Sequence, residues 1–218
     1  MKKNRVEAFT DGVFAIVITL LILELKLPDV SAAGLQPALI SLLPSIGAYV
    51  LSFGLIGMYW VFHHYSMTLV HEVDGVLLWL NIVFLLFISF MPFPTMMMGR
   101  YPYQTLPVVI YGCNLILANV NGFVMLLYLR KNPQLTSHFF TDVIYRKQFR
   151  TYIVVNSLYA VLVGLAFVAP AVSTLAYAFM GVCLVVRSAM YMGIGRCIIG
   201  GAAPSRQETV SAQLGSAS

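Results

Sequence analysis

Charge is what this chain lacks. Only 10% of its 218 residues are Asp, Glu, Lys or Arg, against about 25% in an ordinary soluble domain. A chain so poor in charge cannot clothe a globular surface with polar groups, which excludes a free soluble enzyme or binding domain. Acid is scarcer than base, with 8 Asp and Glu against 13 Lys and Arg and a formal net charge of +5. The basic residues lie in short stretches between apolar runs and make no groove for a polynucleotide, so no nucleic-acid partner is expected. Cysteine is also sparse. Cys113, Cys183 and Cys197 sit in or beside apolar runs without paired spacing. That gives neither a disulfide framework nor a thiolate metal motif, and they read as small buried hydrophobes.

Histidine does not supply a metal site either. His63 and His64 are adjacent, so on a helix they point about 100° apart, and His71-Glu72 and Asp74 lie in a connection. Neither H-x-x-x-H nor H-E-x-x-H occurs, and no metal or cofactor is expected. G-x-S-x-G is absent too. Asp11 is the one acid well inside an apolar run, so the carboxylate pair needed for intramembrane hydrolysis is missing and no enzyme is expected.

What is present is hydrophobicity: 60% of residues, with a mean hydropathy of +0.86. In lipid the backbone must satisfy itself, which permits helices or a closed barrel. The apolar runs are continuous for about 20 residues, the length of a membrane helix and not the alternation of barrel strands. The sequence therefore predicts an all-α, polytopic membrane protein with spans near 6–27, 39–65, 76–98, 106–129, 152–168 and 172–199. Pro92-Phe93-Pro94 is expected to kink or end the third. A six-helix domain over 1–200 is followed by a Gly, Ala and Ser-rich tail, 201–218, expected to be disordered. Lys2, Lys3 and Arg5, the run from Arg130 to Arg150, and Arg196 and Arg206 lie on one side of the spans, which predicts both termini in the cytosol.

The first span opens with a carboxylate, Asp11, whose burial in hydrocarbon costs on the order of 3 kcal/mol. A cleaved signal peptide would not carry it. Ile16, Leu20 and Leu23 recur at i, i+4 and i+7 as one stripe, with Thr19 on its shoulder. Asp11 lies about 140° around the helix from Ile16. Carboxylate and stripe therefore meet different surroundings, a geometry that permits a pore-lining stripe. Asp11 calls for partners at its own depth. It lies about 12 Å inside Lys3 and Arg187 about 13 Å inside Arg196, and Trp60, His64 and Asn81 sit near the same level. Arg187 has two readings, a member of this polar cluster or a side chain snorkelling to the cytosolic interface. Asn114, Asn119 and Asn121 are expected to hydrogen-bond between helices.

These residues carry a resemblance. Arg5-x3-Phe9-Thr10-Asp11 resembles the R-x-x-x-F-S-D signature that opens the first helix of the transmembrane protein 175 family, potassium channels of prokaryotic membranes and animal endosomes and lysosomes. Tyr59-Trp60-x2-His63-His64, Leu78-Trp79-Leu80-Asn81 and Phe90-Met91-Pro92-Phe93-Pro94-Thr95 look like that family's second and third helices. Thr10 departs from the signature serine but keeps the hydroxyl. The resemblance implies a homotetramer in a bacterial inner membrane, with the first helix lining a central potassium pore. Carried over by position, it places the constriction on Ile16, Leu20 and Leu23 and the polar selectivity position on Thr19. Arg5, Phe9, Thr10 and Asp11 would then fix the pore helix against the helices that carry Trp60, His64 and Asn81. Such a hydrophobic ring gates by dewetting. The competing reading is a proton-coupled secondary transporter with Asp11 and a histidine as its titrating pair. Transporters of that kind show internal repeats and helix breaks at the midplane, whereas the Pro92–Pro94 break lies toward the membrane edge.

Overall fold

The computed structural model describes residues 2–200, and their side chains through Arg187 with the exception of Ala33. The tail 201–218 and the side chains of Arg196 and Cys197 lie outside what is described. The chain folds as α1 (Lys3–Leu20), α2 (Leu35–Ser41), α3 (Leu43–Thr68), α4 (Gly75–Phe90), α5 (Pro92–Arg100), α6 (Thr105–Lys131), α7 (Asp142–Ala166) and α8 (Pro170–Gly200). Six helical segments are long and apolar enough to cross a membrane. The molecule is a multi-pass α-helical membrane protein.

Helix ends follow local chemistry. Asp74 caps α4 by accepting from the Leu77 N–H at 2.8 Å, and Thr141 caps α7 by accepting from Ile144 N–H at 3.4 Å. Pro170 opens α8 at a position where its missing N–H has no helical partner to lose. Two boundaries differ from expectation. α7 begins at Asp142, ten residues before the apolar run from 152. Arg146, Lys147 and Arg150 are good helix formers, and the Thr141 cap starts the helix outside the lipid. The second span begins at Leu43, because Leu42 interrupts the helix ahead of Pro44 and the residues before it form the separate short α2.

The third span does break at its prolines, and the break is stapled. With Pro92 next in line, the Met91 N–H turns back to Ile88 O at 3.1 Å and leaves Phe87 O without its helical donor. Asn114 of α6 supplies one, donating Nδ2 to Phe87 O at 3.1 Å. Thr95 then donates to Met91 O and to Ser52 Oγ, both at 2.8 Å, and Ser52 lies 3.1 Å from the Tyr111 hydroxyl. Asn119 likewise spans helices, donating to Tyr59 Oη at 2.6 Å. Buried polar groups thus bond α3, α5 and α6 across a core built from Phe14, Leu21, Ile56, Ile88, Met91 and Leu115.

α6 is the central helix, with 50% of its membrane window buried, while α7, at 11%, is peripheral. α1 packs on α3 and α4; α8 packs on α3, α7 and α6. At the end of the bundle that holds the N-terminus Lys3 Nζ donates to Val70 O at 3.0 Å. Residues 69–72 are tied to 135–137 by backbone bonds such as His71 N–H to Leu135 O at 2.7 Å. Cys113 and Cys183 are exposed on this single subunit, contrary to the buried packing role expected of them. Their apolar runs face outward at those positions.

Candidate pore helix and its anchor

α1 divides into two faces. Val6, Thr10, Phe14 and Val17, with Leu21 just beyond, turn inward and are buried. Ile16, Thr19, Leu20 and Leu23 are all exposed, Ile16 at 60% and Leu23 at 61%. After Leu20 the helix tightens to a 3-10 turn, Leu21–Glu24. At three residues per turn Leu20 and Leu23 eclipse each other, so the stripe ends in two stacked leucines. On an ideal helix Phe9 and Gly12 fall within about 40° of Ile16. Both are exposed, and they extend the same face toward the N-terminal end of the helix. Thr19 donates its hydroxyl hydrogen inward along the helix, to Ile16 O at 2.8 Å and Ala15 O at 3.0 Å. Its oxygen thereby faces outward as an acceptor.

The opposite face is held by a buried chain of side chains. Asn81 of α4 donates Nδ2 to Thr10 Oγ1 at 2.9 Å, and its Oδ1 lies 2.8 Å from His63 Nε2 of α3. An amide oxygen only accepts, so this placement puts the imidazole proton on Nε2. His63 stacks on Phe84 with centroids 5.5 Å apart. Thr10, Asn81 and His63 are all buried, and they lock the rotation of α1 relative to α3 and α4.

The expected polar cluster is divided accordingly. Thr10 and Asn81 meet as anticipated, but the histidine between α3 and α4 is His63. His64, named from depth and from the resemblance, points outward one helical step away and stacks on Trp60 at 5.8 Å. Asp11 is not buried within the subunit; it is exposed and accepts from Trp60 Nε1 at 2.8 Å. Arg5 and Phe9 are exposed as well. Arg187 does not join the cluster. It is exposed on α8 and makes no hydrogen bond or ion pair with Asp11, Trp60, His64 or Asn81. Matched depth did not bond it to them. His63 was legible only as half of a His-His pair, since no local pattern distinguishes the inward member.

A multi-pass helical membrane protein that turns a carboxylate and an apolar stripe outward on one helix leaves that face uncovered by its own chain. Comparison with known proteins makes the reading particular. The family model described as endosomal/lysosomal potassium channel TMEM175 matches residues 5–92. The chain is 43% identical over 121 residues to a protein named a potassium channel from Chryseobacterium sp. (strain P1-3), covering 55% of this chain and 61% of that one. It is 35% identical over 128 residues to the mouse endosomal/lysosomal proton channel TMEM175, covering 53% of this chain and 26% of that one. The chain spans about half the length of several curated relatives it matches, 49% and 50% for the potassium channels named from Streptomyces collinus and Chamaesiphon minutus. A crystal structure described as a lysosomal potassium-selective channel TMEM175 homolog from Chamaesiphon minutus superposes with a TM-score of 0.76 at 28% identity, over 86% of this chain and 98% of that one.

Proposed function

We propose that this chain is the subunit of a potassium-permeable channel, a homotetramer in the cell membrane with both termini in the cytosol and α1 lining a central pore. One observation carries the reading: the outward face of α1 holds Asp11, bonded to Trp60, alongside the apolar line of Ile16, Leu20 and Leu23. Lipid would solvate the stripe but not the carboxylate. A second copy packed on the Asp11–Trp60 side buries the carboxylate in protein and leaves the stripe, about 140° away, toward the assembly axis. The names of the relatives and the likeness to the Chamaesiphon minutus structure point the same way.

In that assembly Ile16, Leu20 and Leu23 form the constriction. A ring of branched apolar side chains empties of water when narrow and conducts when the helices part. Thr19 offers outward oxygen lone pairs, which favour a partly dehydrated cation. Potassium passes more easily than sodium because the larger ion holds its hydration less tightly, and without a rigid cage of carbonyls the discrimination is modest. Asp11 acts as a contact between copies, while Arg5 and Phe9, within about 20° of Ile16 on the helix, carry the axis-facing side on toward the N-terminal end. The transporter reading loses its titrating pair: Asp11 is bonded to Trp60, and neither His63 nor His64 is hydrogen-bonded to it.

Single-channel recording on purified protein in planar bilayers tests this. Discrete ohmic steps in potassium are expected, with Ile16→Asn raising open probability or conductance. Slow saturable flux, or conductance unchanged in both Ile16→Asn and Leu23→Ala, would overturn the assignment.

A further inference from the structure

Behind the Thr10–Asn81–His63 anchor, α3, α4, α6 and α7 surround a cavity of about 50 Å³. Its wall is mostly apolar, with Phe62, Phe84, Ala118, Met125 and Tyr152, and it includes His63 and Gln148. Gln148 is 7% exposed, and its Nε2 is buried with no hydrogen-bond partner. A buried amide left without an acceptor costs about 1–3 kcal/mol. The pore assignment makes no use of this space.

Volume and chemistry together select the occupant. One water needs about 10–15 Å³ and two to four polar partners, so the space holds about four waters. Among the other polar groups on the wall, the hydrogens of Ser66 and Asn119 are already committed. Ser66 donates to Phe62 O at 2.9 Å, and Asn119 donates to Tyr59 Oη at 2.6 Å and to Leu115 O at 2.9 Å. A water cluster would be poorly held among the aromatic and Met side chains. Benzene fits an apolar cavity of about 150 Å³, three times this size, so the occupant is smaller than benzene. We propose that the cavity is a binding site for a compact, uncharged organic molecule of about three to five heavy atoms, with one hydrogen-bond acceptor placed on Gln148 Nε2. Its apolar body lies against Phe62, Phe84 and Met125. Because His63 belongs to both the cavity wall and the anchor, such a ligand touches the same imidazole that orients α1.

The test uses the full assembled protein carrying Ala118→Cys, with Glu72→Cys and His138→Cys, exposed positions in the connections outside the spans, as references and labelling read by peptide mass. Uncharged methyl methanethiosulfonate is expected to label position 118, while its anionic sulfonatoethyl analogue labels only the references. Acetone is expected to slow labelling at 118 more than isobutene, the same shape without an acceptor. The advantage should be about fivefold, the equivalent of one hydrogen bond. Gln148→Leu is expected to erase it. Met125→Cys serves as a second reporter should the first variant fail to assemble, and the acetone–isobutene comparison stands without Gln148→Leu. Failure of both reporters to react, equal labelling by the charged reagent, or equal protection by acetone and isobutene would overturn the proposal.

Discussion

Replacing Thr10 with valine keeps the shape of a fully buried side chain and removes the one acceptor that Asn81 Nδ2 uses. In a soluble interior an amide stranded this way costs about 1–3 kcal/mol. Between membrane helices the measured worth of such bonds averages about 0.6 kcal/mol and reaches about 1.7, because the unfolded chain in the membrane also finds partners. Asn81 is 2% exposed and also holds His63, so the upper part of that range applies. Thr10→Val should therefore destabilise each subunit by about 1–1.5 kcal/mol, roughly a fivefold to twelvefold shift in its folding equilibrium. Detergent-denaturation midpoints of the purified protein, followed by tryptophan fluorescence, measure this. The decisive comparison is a double-mutant cycle with Asn81→Leu, in which Thr10→Val should lose its effect. Additive losses, with no coupling between positions 10 and 81, would refute the argument that this bond anchors α1.

Three further outcomes follow from the packing. Asn114→Leu should lower stability by about 1 kcal/mol by orphaning Phe87 O, and Pro92→Ala should recover it by restoring the helical donor; absence of rescue in the double variant would show that the proline break does not create the need. A Cβ on Gly99 would stand 2.8 Å from Ser45 Cα, whereas one on Gly57 meets nothing within 4 Å, so Gly99→Ala should destabilise by about 1–3 kcal/mol and Gly57→Ala should be tolerated, as read by thermal melting. Burial raises the pKa of Asp74, but hydrogen bonds from Tyr128 and the backbone of the α4 first turn outweigh it and hold the carboxyl below its ordinary 3.8. The stability it contributes is present above that value and lost as pH falls through the lower folded pKa, so wild type should lose melting temperature below about pH 4 and Asp74→Asn, which keeps one acceptor oxygen for the Leu77 N–H and does not titrate, should lose less.

Much of the molecule was readable from one dimension. Long unbroken apolar runs admit only spanning helices, and Pro92 and Pro94 mark their own break because a ring nitrogen cannot donate. The outward stripe of α1 followed from spacing, since 100° per residue places Ile16, Leu20 and Leu23 on one line whatever surrounds the helix. The same rule set Asp11 apart from them. Composition also hid the true start of α7, because a helix may begin outside lipid on charged residues that a hydropathy reading counts as loop.

What spacing cannot supply is the absolute rotation of each helix and the choice of its neighbours. The sequence by itself determined that α1 has two faces and that a polar cluster lies near its N-terminal end. Only the tertiary structure decided that Thr10, and not Asp11, turns into the subunit, that His63 and not His64 completes the chain to Asn81, and that Arg187 stands apart. Those choices rest on contacts between residues as far as 71 positions apart in the chain. Depth along the membrane normal is a property of each helix alone, but azimuth is fixed by packing all of them together.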